Sequence, residues 1–331
     1  MQIDFSKISK IILENNSFLI TTHINPDADA IGSCLGFYSL VTKLGKKSKI
    51  INLNSTPYYL KFLDPQNVIE TFDKEKHAAQ FELFDVLVAL DFQQLNRIGQ
   101  MQNYFRGSSK VKLCIDHHEF PENFTDNLFI DIDYASTGEM IFDLVKFMNV
   151  PIDYNMAQAL YAAIMTDTGS FRFDRTTSKT HLRIAQLLET GINPNAIYRE
   201  IYDSGKIEKL RLLGKTLLSL QFNSTKQIAF MEIRQNDLLD FGISEADTEG
   251  FVNYCLSIVD VKVGLLFFET KEGFKVSLRS VGNIPVNKVA QQFGGGGHMN
   301  AAGIRMEGAK IEDYQSKIIY EIEKYLKEGT E

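Results

Sequence analysis

The sequence predicts an α/β protein of two domains, the first built on a mostly parallel sheet flanked by helices. Three observations carry this expectation. Strand-like and helix-like segments alternate from residue 5 to about residue 200, the pattern of a sheet with helical crossovers. One strand, Val86–Leu90, is apolar without interruption, which suits a strand covered on both faces. Beyond residue 205 the alternation gives way to helices and paired strands around a hairpin signal at Lys271-Glu272-Gly273.

Residues 5–15 have the spacing of an amphipathic helix. Residues 18–22 read as a short buried strand that Asn25-Pro26 ends, because proline fixes φ and has no N–H to give. Residues 34–44 form an apolar helical run closed by Gly45. The lysines beside its end, Lys43, Lys46, Lys47 and Lys49, suit the negative pole of the helix dipole. Further strands are expected at 49–54, 86–90, 111–115 and 128–132. Helices are expected at 137–148, with Ser136 or Thr137 as cap, and at 155–165, 178–190 and 194–203. A catalytic domain thus spans 1–204, a linking helix 205–221, and a smaller α+β domain 222–331. Within the last, strands are expected at 227–233, 261–269 and 274–280, and helices at 234–241, 245–257, 285–293 and 310–327.

The chain has 331 residues, 44% of them hydrophobic and 23% charged, with a formal net charge of −7. Those values suit a soluble globular protein with a sizeable core. An acidic chain is not built to coat long nucleic acid, so an anionic ligand must be held locally by a few Arg or Lys side chains, backbone N–H groups or bound metal. Cys34, Cys114 and Cys255 lie in apolar runs without paired spacing and read as buried free thiols of a reducing compartment. The N-terminus lacks the regions of a signal peptide, and no apolar run approaches the ~18–20 residues of a membrane span. Cytoplasm is the expected location.

Chemistry-bearing residues gather at the strand ends. His23 ends the first strand, and Asp27 and Asp29 follow on the expected loop. Two carboxylates so close repel unless a cation or proton lies between them. The plain alternative is that Asp27 or Asp29 caps a helix and His23 is incidental. Asp91 ends the strand 86–90, Asp116-His117-His118 ends the strand 111–115, and Asp167 follows the helix 155–165. Ligands of parallel sheets bind beyond the carboxyl ends of the strands, so the joint occurrence outweighs the bland reading of each member. Carboxylate and imidazole donors suit Mn²⁺, Mg²⁺ or Zn²⁺. His23, Asp27, Asp29, Asp91, His117 and Asp167 are too many for one open catalytic ion. They fit two ions sharing a carboxylate, an arrangement suited to displacement at phosphorus. A second motif, Gly294-Gly295-Gly296-Gly297-His298, precedes Ala301-Ala302-Gly303 and follows Arg279 on a strand. Glycines let a backbone approach an anion with its N–H groups turned inward, although a flexible linker is the plain alternative.

Together these motifs resemble the DHH phosphoesterase superfamily, named for the triplet that stands here as Asp116-His117-His118. The glycine run with His298 and Ala301-Ala302-Gly303 resembles the associated DHHA1 domain. The likeness spans nearly the full chain and is strongest to the short two-domain branch that includes bacterial nanoRNases and phosphoadenosine-phosphate phosphatases. It implies two Mn²⁺ ions, with Mg²⁺ or another divalent ion as substitute. His23, Asp27 and Asp91 would hold one, and Asp29, Asp91, His117 and Asp167 the other. The implied catalytic set is Asp91, Asp116 and His118, with His118 near the scissile phosphate and Asp116 orienting the imidazoles. Arg279, Gly294, Gly295, Gly296, Gly297, His298, Ala301, Ala302 and Gly303 would contact substrate across a cleft, and the residues around Phe171, Arg172 and Thr176 are candidates for further contact. The implied activity is hydrolysis of very short oligoribonucleotides, such as pApA, to mononucleotides, together with removal of a phosphate from 3′-phosphoadenosine 5′-phosphate. Cyclic-dinucleotide phosphodiesterase is the alternative. Pyrophosphatase, exopolyphosphatase and long-strand exonuclease rank lower, and a non-catalytic sensor would be expected to have lost metal ligands. No long nucleic acid and no membrane are expected as partners; a homodimer is what the resemblance allows.

Overall fold

The computed structural model describes residues 3–243, 245–248 and 250–328. The chain divides into a first unit ending at Ser204 and a second beginning at Gly205. The first unit opens with α1 (Phe5–Glu14), β1 (Ser17–Thr21), α2 (Ala28–Lys43), β2 (Lys47–Asn52), β3 (Ile69–Thr71), α3 (Lys74–His77) and β4 (Val86–Leu90). It continues through α4 (Gln102–Gly107), β5 (Val111–Asp116), β6 (Leu128–Ile130), α5 (Thr137–Phe147), α6 (Tyr154–Asp167), α7 (Ser178–Leu188) and α8 (Pro194–Tyr198). The six strands form one sheet in the order β3-β2-β1-β4-β5-β6, and every pairing is parallel.

The alternation of side chains along β4 explains why this strand is apolar throughout. Val86, Val88 and Leu90 face a core shared with α2, α5 and α6, where they meet residues such as Ile31, Met140 and Leu160. Leu87 and Ala89 face the other side, against Phe81, Phe92 and Phe105. Register then places the functional ends. Thr21 of β1 pairs with Ala89 of β4, and Leu90 of β4 with Ile115 of β5, so the residues that follow these three strands emerge side by side.

The start of the second helix needs correction. The helix expected to begin at residue 34 begins at Ala28, with Asp27 as its N-cap and Asp29 in its first turn rather than on a loop. Asp27 Oδ1 accepts from the Ala30 N–H at 3.0 Å. Gly32 lies before the expected helix start, yet it is inside α2, where its missing side chain serves packing. A Cβ on Gly32 would lie 2.3 Å from the Ala159 carbonyl oxygen and 2.9 Å from Ala163 Cβ; one on Gly36 would lie 2.7 Å from Leu160 Cδ2. Glycines one turn apart on α2 therefore admit the small-residue face of α6.

The second unit comprises α9 (Ile207–Leu218), β7 (Gln221–Phe222), β8 (Ile228–Ile233), α10 (Gln235–Phe241), α11 (Asn253–Leu256), β9 (Val263–Thr270), β10 (Gly273–Ser280), α12 (Val286–Gln292), β11 (Gly296–His298), β12 (Ala301–Glu307) and α13 (Ile311–Glu328). Its sheet runs β11-β12-β10-β9-β8-β7, antiparallel except for the β8/β9 pair. The helix expected to link the domains is α9, whose Leu212 enters a core with Ala229, Met231 and Phe251. The helix expected over 245–257 is instead a 3₁₀ turn, Glu245–Thr248, and the short α11. Gly250 at φ +83° interrupts it, and residue 249 lies outside the described residues. No helix among the described residues is long and apolar enough to cross a membrane.

The α2/α6 contact yields a prediction whose sign is not obvious. Gly→Ala inside a helix ordinarily stabilises by roughly 0.5–1 kcal/mol. At Gly32 the added methyl meets a backbone carbonyl that cannot swing away, so Gly32→Ala should destabilise by about 1–3 kcal/mol. Gly214→Ala on α9, where the methyl meets open space, should stabilise. Urea midpoints of both variants check the contrast; a stabilised Gly32→Ala would contradict the close approach.

Candidate metal centre

Three strand ends and two helix ends build one cluster in the first unit. At the end of β1, the His23 Nδ1 lies 2.9 Å from the Ile24 carbonyl. A carbonyl only accepts, so Nδ1 carries a proton, and Nε2 is the nitrogen turned to the cluster that can act as a ligand once its own proton is lost. That Nε2 faces Asp91 Oδ2 at 3.4 Å and Asp27 Oδ2 at 3.9 Å. Beyond β5, His117 Nδ1 is set in the same way by the Tyr134 carbonyl at 3.3 Å. Its Nε2 faces Asp167 Oδ2 at 3.2 Å, Asp91 Oδ1 at 3.6 Å and Asp29 Oδ2 at 3.7 Å. Tyr134 is itself held, its hydroxyl donating to Asp143 at 2.8 Å and its ring lying under the Arg183 guanidinium.

Asp91 stands between the two imidazoles and turns one oxygen to each. Its backbone is left-handed, φ +63°, which aspartate tolerates better than most residues with a Cβ. Thr137, at the start of α5, donates its hydroxyl to Asp91 Oδ1 at 3.0 Å and its N–H to Asp29 Oδ2 at 2.8 Å. The Gly138 N–H donates to Asp29 Oδ1 at 2.8 Å. Asp29 therefore lies on the positive pole of α5 while belonging to the first turn of α2. Asp116 is buried and bonded to His118 Nδ1 at 2.7 Å.

These contacts set the protonation of the cluster. Burial opposes a charge on His117, but the Asp91 hydrogen bond and the Asp167 and Asp29 charges raise it to about 10. The same contest raises His23, through Asp91 and Asp27. Burial lifts Asp167 to about 7, against the pull of His117 and with the help of Asp27 and Asp91. It also lifts Asp29 well above the carboxylate range, with Asp91 and Asp167 adding to it. Asp91 moves the other way: despite burial, the hydrogen bonds of His117 and His23 hold it well below that range. Protons thus offset crowded carboxylates here, and a divalent cation would do so more completely. The donor set fits one. The ligand atoms of His23, Asp27 and Asp91 lie within 4.8 Å of one another, as do those of Asp29, His117 and Asp167. Carboxylate oxygen and imidazole nitrogen suit a hard or borderline ion. Cys34 is no competitor, because burial and the Asp91 and Asp29 charges keep its thiol protonated.

All six candidate ligands therefore converge, with Asp116 and His118 beside them. Sequence reasoning missed Thr137, Gly138 and Gly32. Thr137 reads from sequence as a candidate helix cap, whereas Ser136 takes that part and accepts from the Glu139 N–H. In the second unit all the remaining candidates but Gly294 and Gly295 fall on three rungs of neighbouring strands. Arg279 pairs with Ala301 and Ala301 with His298; Ala302 pairs with Gly297, and Gly303 with Gly296. The glycine run is thus an edge strand in part rather than a loop. A Cβ on Gly297 would lie 2.4 Å from the Ala301 carbonyl oxygen. The Gly294 and Gly295 N–H groups donate to Gln291 and Ala290, closing α12.

A family model described as the DHH family, N-terminal domain, matches residues 17–164, and one described as the DHHA1 domain matches residues 225–328. The chain is 29% identical over 313 residues to the bifunctional oligoribonuclease and PAP phosphatase NrnA of Thermus thermophilus, covering 93% of this chain and 89% of that protein. It is 30% identical over 304 residues to the probable bifunctional oligoribonuclease and PAP phosphatase NrnA of Streptococcus mutans, covering 90% and 92%. The crystal structure of an exopolyphosphatase-related protein from Bacteroides fragilis matches with a TM-score of 0.89 and 33% identity, over 97% of this chain and 96% of that one.

Two outcomes follow from the electrostatics. A divalent ion must displace the protons held by groups such as His117 and Asp167, so its binding should release protons and weaken as pH falls through about 7. Calorimetry in buffers of different ionisation enthalpy measures that release, and its absence would contradict the protonation described. Thr137→Val keeps the shape but removes the donor to Asp91, and should weaken divalent-ion affinity about tenfold.

Proposed function

Since the chain belongs to the DHH family and carries its DHHA1 domain, we propose that it is a manganese-dependent phosphohydrolase of very short oligoribonucleotides and of 3′-phosphoadenosine 5′-phosphate. The observation that carries the reading is the carboxylate of Asp91, one oxygen turned to each of two ligand groups. In this reading His23, Asp27 and Asp91 would hold one Mn²⁺ and Asp29, Asp91, His117 and Asp167 the other. Two such ions, when bound, supply Lewis-acid charge to phosphoryl oxygens and lower the pKa of an attacking water.

The chain's own groups do the rest. The Ile24 and Tyr134 carbonyls fix which nitrogen of His23 and His117 is the ligand. Thr137 and the start of α5 hold Asp91 and Asp29 against their mutual repulsion. Asp116 engages His118 Nδ1, which leaves Nε2 to meet the scissile phosphate. Arg279 supplies a forked cation for substrate phosphate, with His298 two strands away on the same rung. Gly296 and Gly303, paired on neighbouring strands, leave the strand surface bare for close approach. A net charge of −7 offers no basic track for a long strand, which favours short substrates. The names of the two relatives, oligoribonuclease and PAP phosphatase, support the same substrates.

Purified protein with Mn²⁺ should hydrolyse pApA, a pentaribonucleotide and 3′-phosphoadenosine 5′-phosphate, act poorly on a long RNA, and stop on addition of EDTA. Hydrolysis confined to cyclic di-AMP would transfer the reading to cyclic-dinucleotide phosphodiesterase. No turnover of any nucleotide would overturn it. Arg279→Ala should raise KM by about tenfold or more with a smaller effect on kcat, the worth of a charged hydrogen bond. An unchanged KM would remove Arg279 from the substrate site.

A further inference from the structure

Immediately after Asp167 the chain takes an uncommon path. Helix α6 ends in a Schellman-type turn, with the Gly169 N–H bonded to the Thr166 carbonyl at 2.9 Å and the Ser170 N–H to the Met165 carbonyl at 2.8 Å. That motif needs one left-handed residue, and Gly169 at φ +57° supplies it. The backbone then stays left-handed through Ser170, φ +60°, and Phe171, φ +67°. Residues with a Cβ rarely do this once, and seldom in succession. The surroundings hold the path in place. Thr168 accepts from the Phe171 N–H with its hydroxyl and from the Arg172 and Phe173 N–H groups with its carbonyl. The Phe171 ring packs against Tyr161 and His181.

The outcome of this path is the position of Phe173. Its side chain is 44% exposed, yet its ring lies on Gly169: a Cβ there would be 2.4–2.6 Å from three ring atoms. The exposed Arg172 guanidinium stands 5.9 Å from the ring centroid, at the outer limit of a cation–π contact. A lone exposed aromatic residue needs no explanation. One seated on a glycine by two further left-handed residues, in the turn that follows the candidate ligand Asp167, does.

We propose that Phe173 is a stacking platform for a substrate nucleobase, presented by the left-handed segment 169–171 in the turn that follows Asp167. The inference rests on the phosphohydrolase reading and deepens it, since it gives the first unit its own means of telling a nucleotide from a bare sugar phosphate. Base–aromatic stacking tolerates any base, because each has a π face.

Binding of AMP and of ribose 5-phosphate to the Mn²⁺-loaded full chain, measured by calorimetry, tests this without relying on turnover. Phe173→Ala should weaken AMP about tenfold and leave ribose 5-phosphate unchanged. Phe173→Tyr should bind AMP like the parent protein. Gly169→Ala, whose methyl would push the ring from its seat, should reproduce the loss with Phe173 still present. AMP binding unaltered in Phe173→Ala, or an equal loss for both ligands, would overturn the platform. AMP discrimination in a protein that hydrolyses no nucleotide would uphold the platform and overturn only the hydrolytic reading.

Discussion

Everything at the carboxyl ends of β1, β4 and β5 depends on holding a buried carboxylate, Asp91, between two imidazoles. Buried charge is costly unless paired and hydrogen-bonded. Asp91 meets that condition with His23 on one oxygen, and with His117 and the Thr137 hydroxyl on the other. Much of the first unit follows from the need to deliver those partners to one point. Parallel register brings His23 and His117 to either side of the strand that ends in Asp91. The start of α5 supplies donors to Asp29, and the close seating of α2 on α6 through Gly32 and Gly36 serves the approach of Asp29 and Asp167 to His117.

The arrangement is unequal by construction. Asp91 is held ionised, whereas Asp29 and Asp167 are driven toward the protonated form by burial and by their neighbours. A cluster of this kind spends no hydrophobic burial on its own stability; it is made compatible with the fold by protons or by cations. Val86, Val88 and Leu90 lie fully buried behind the site.

Much of this was legible in the sequence because strand ends in parallel sheets are where ligands meet, and His23, Asp91 and the triplet Asp116-His117-His118 sit where strand-like runs stop. What was not legible came from tertiary context. The use of Gly32 shows only once α6 is laid against α2. Thr137 reads as a cap because nothing local reveals that Ser136 has taken that part and left the Thr137 hydroxyl for Asp91. The glycine run reads as a loop, yet Gly296, Gly297 and His298 pair with Gly303, Ala302 and Ala301. The small residues on the two segments explain each other only once the strands are side by side.

The central claim is that Asp91 joins two cation positions into one centre. Electron paramagnetic resonance of the Mn²⁺-loaded protein tests it most directly, because ions about 3.5–4 Å apart across a shared carboxylate couple magnetically. The account predicts a spin-coupled pair at full loading, lost in Asp91→Asn. A spectrum of isolated, uncoupled Mn²⁺ at full loading would contradict it.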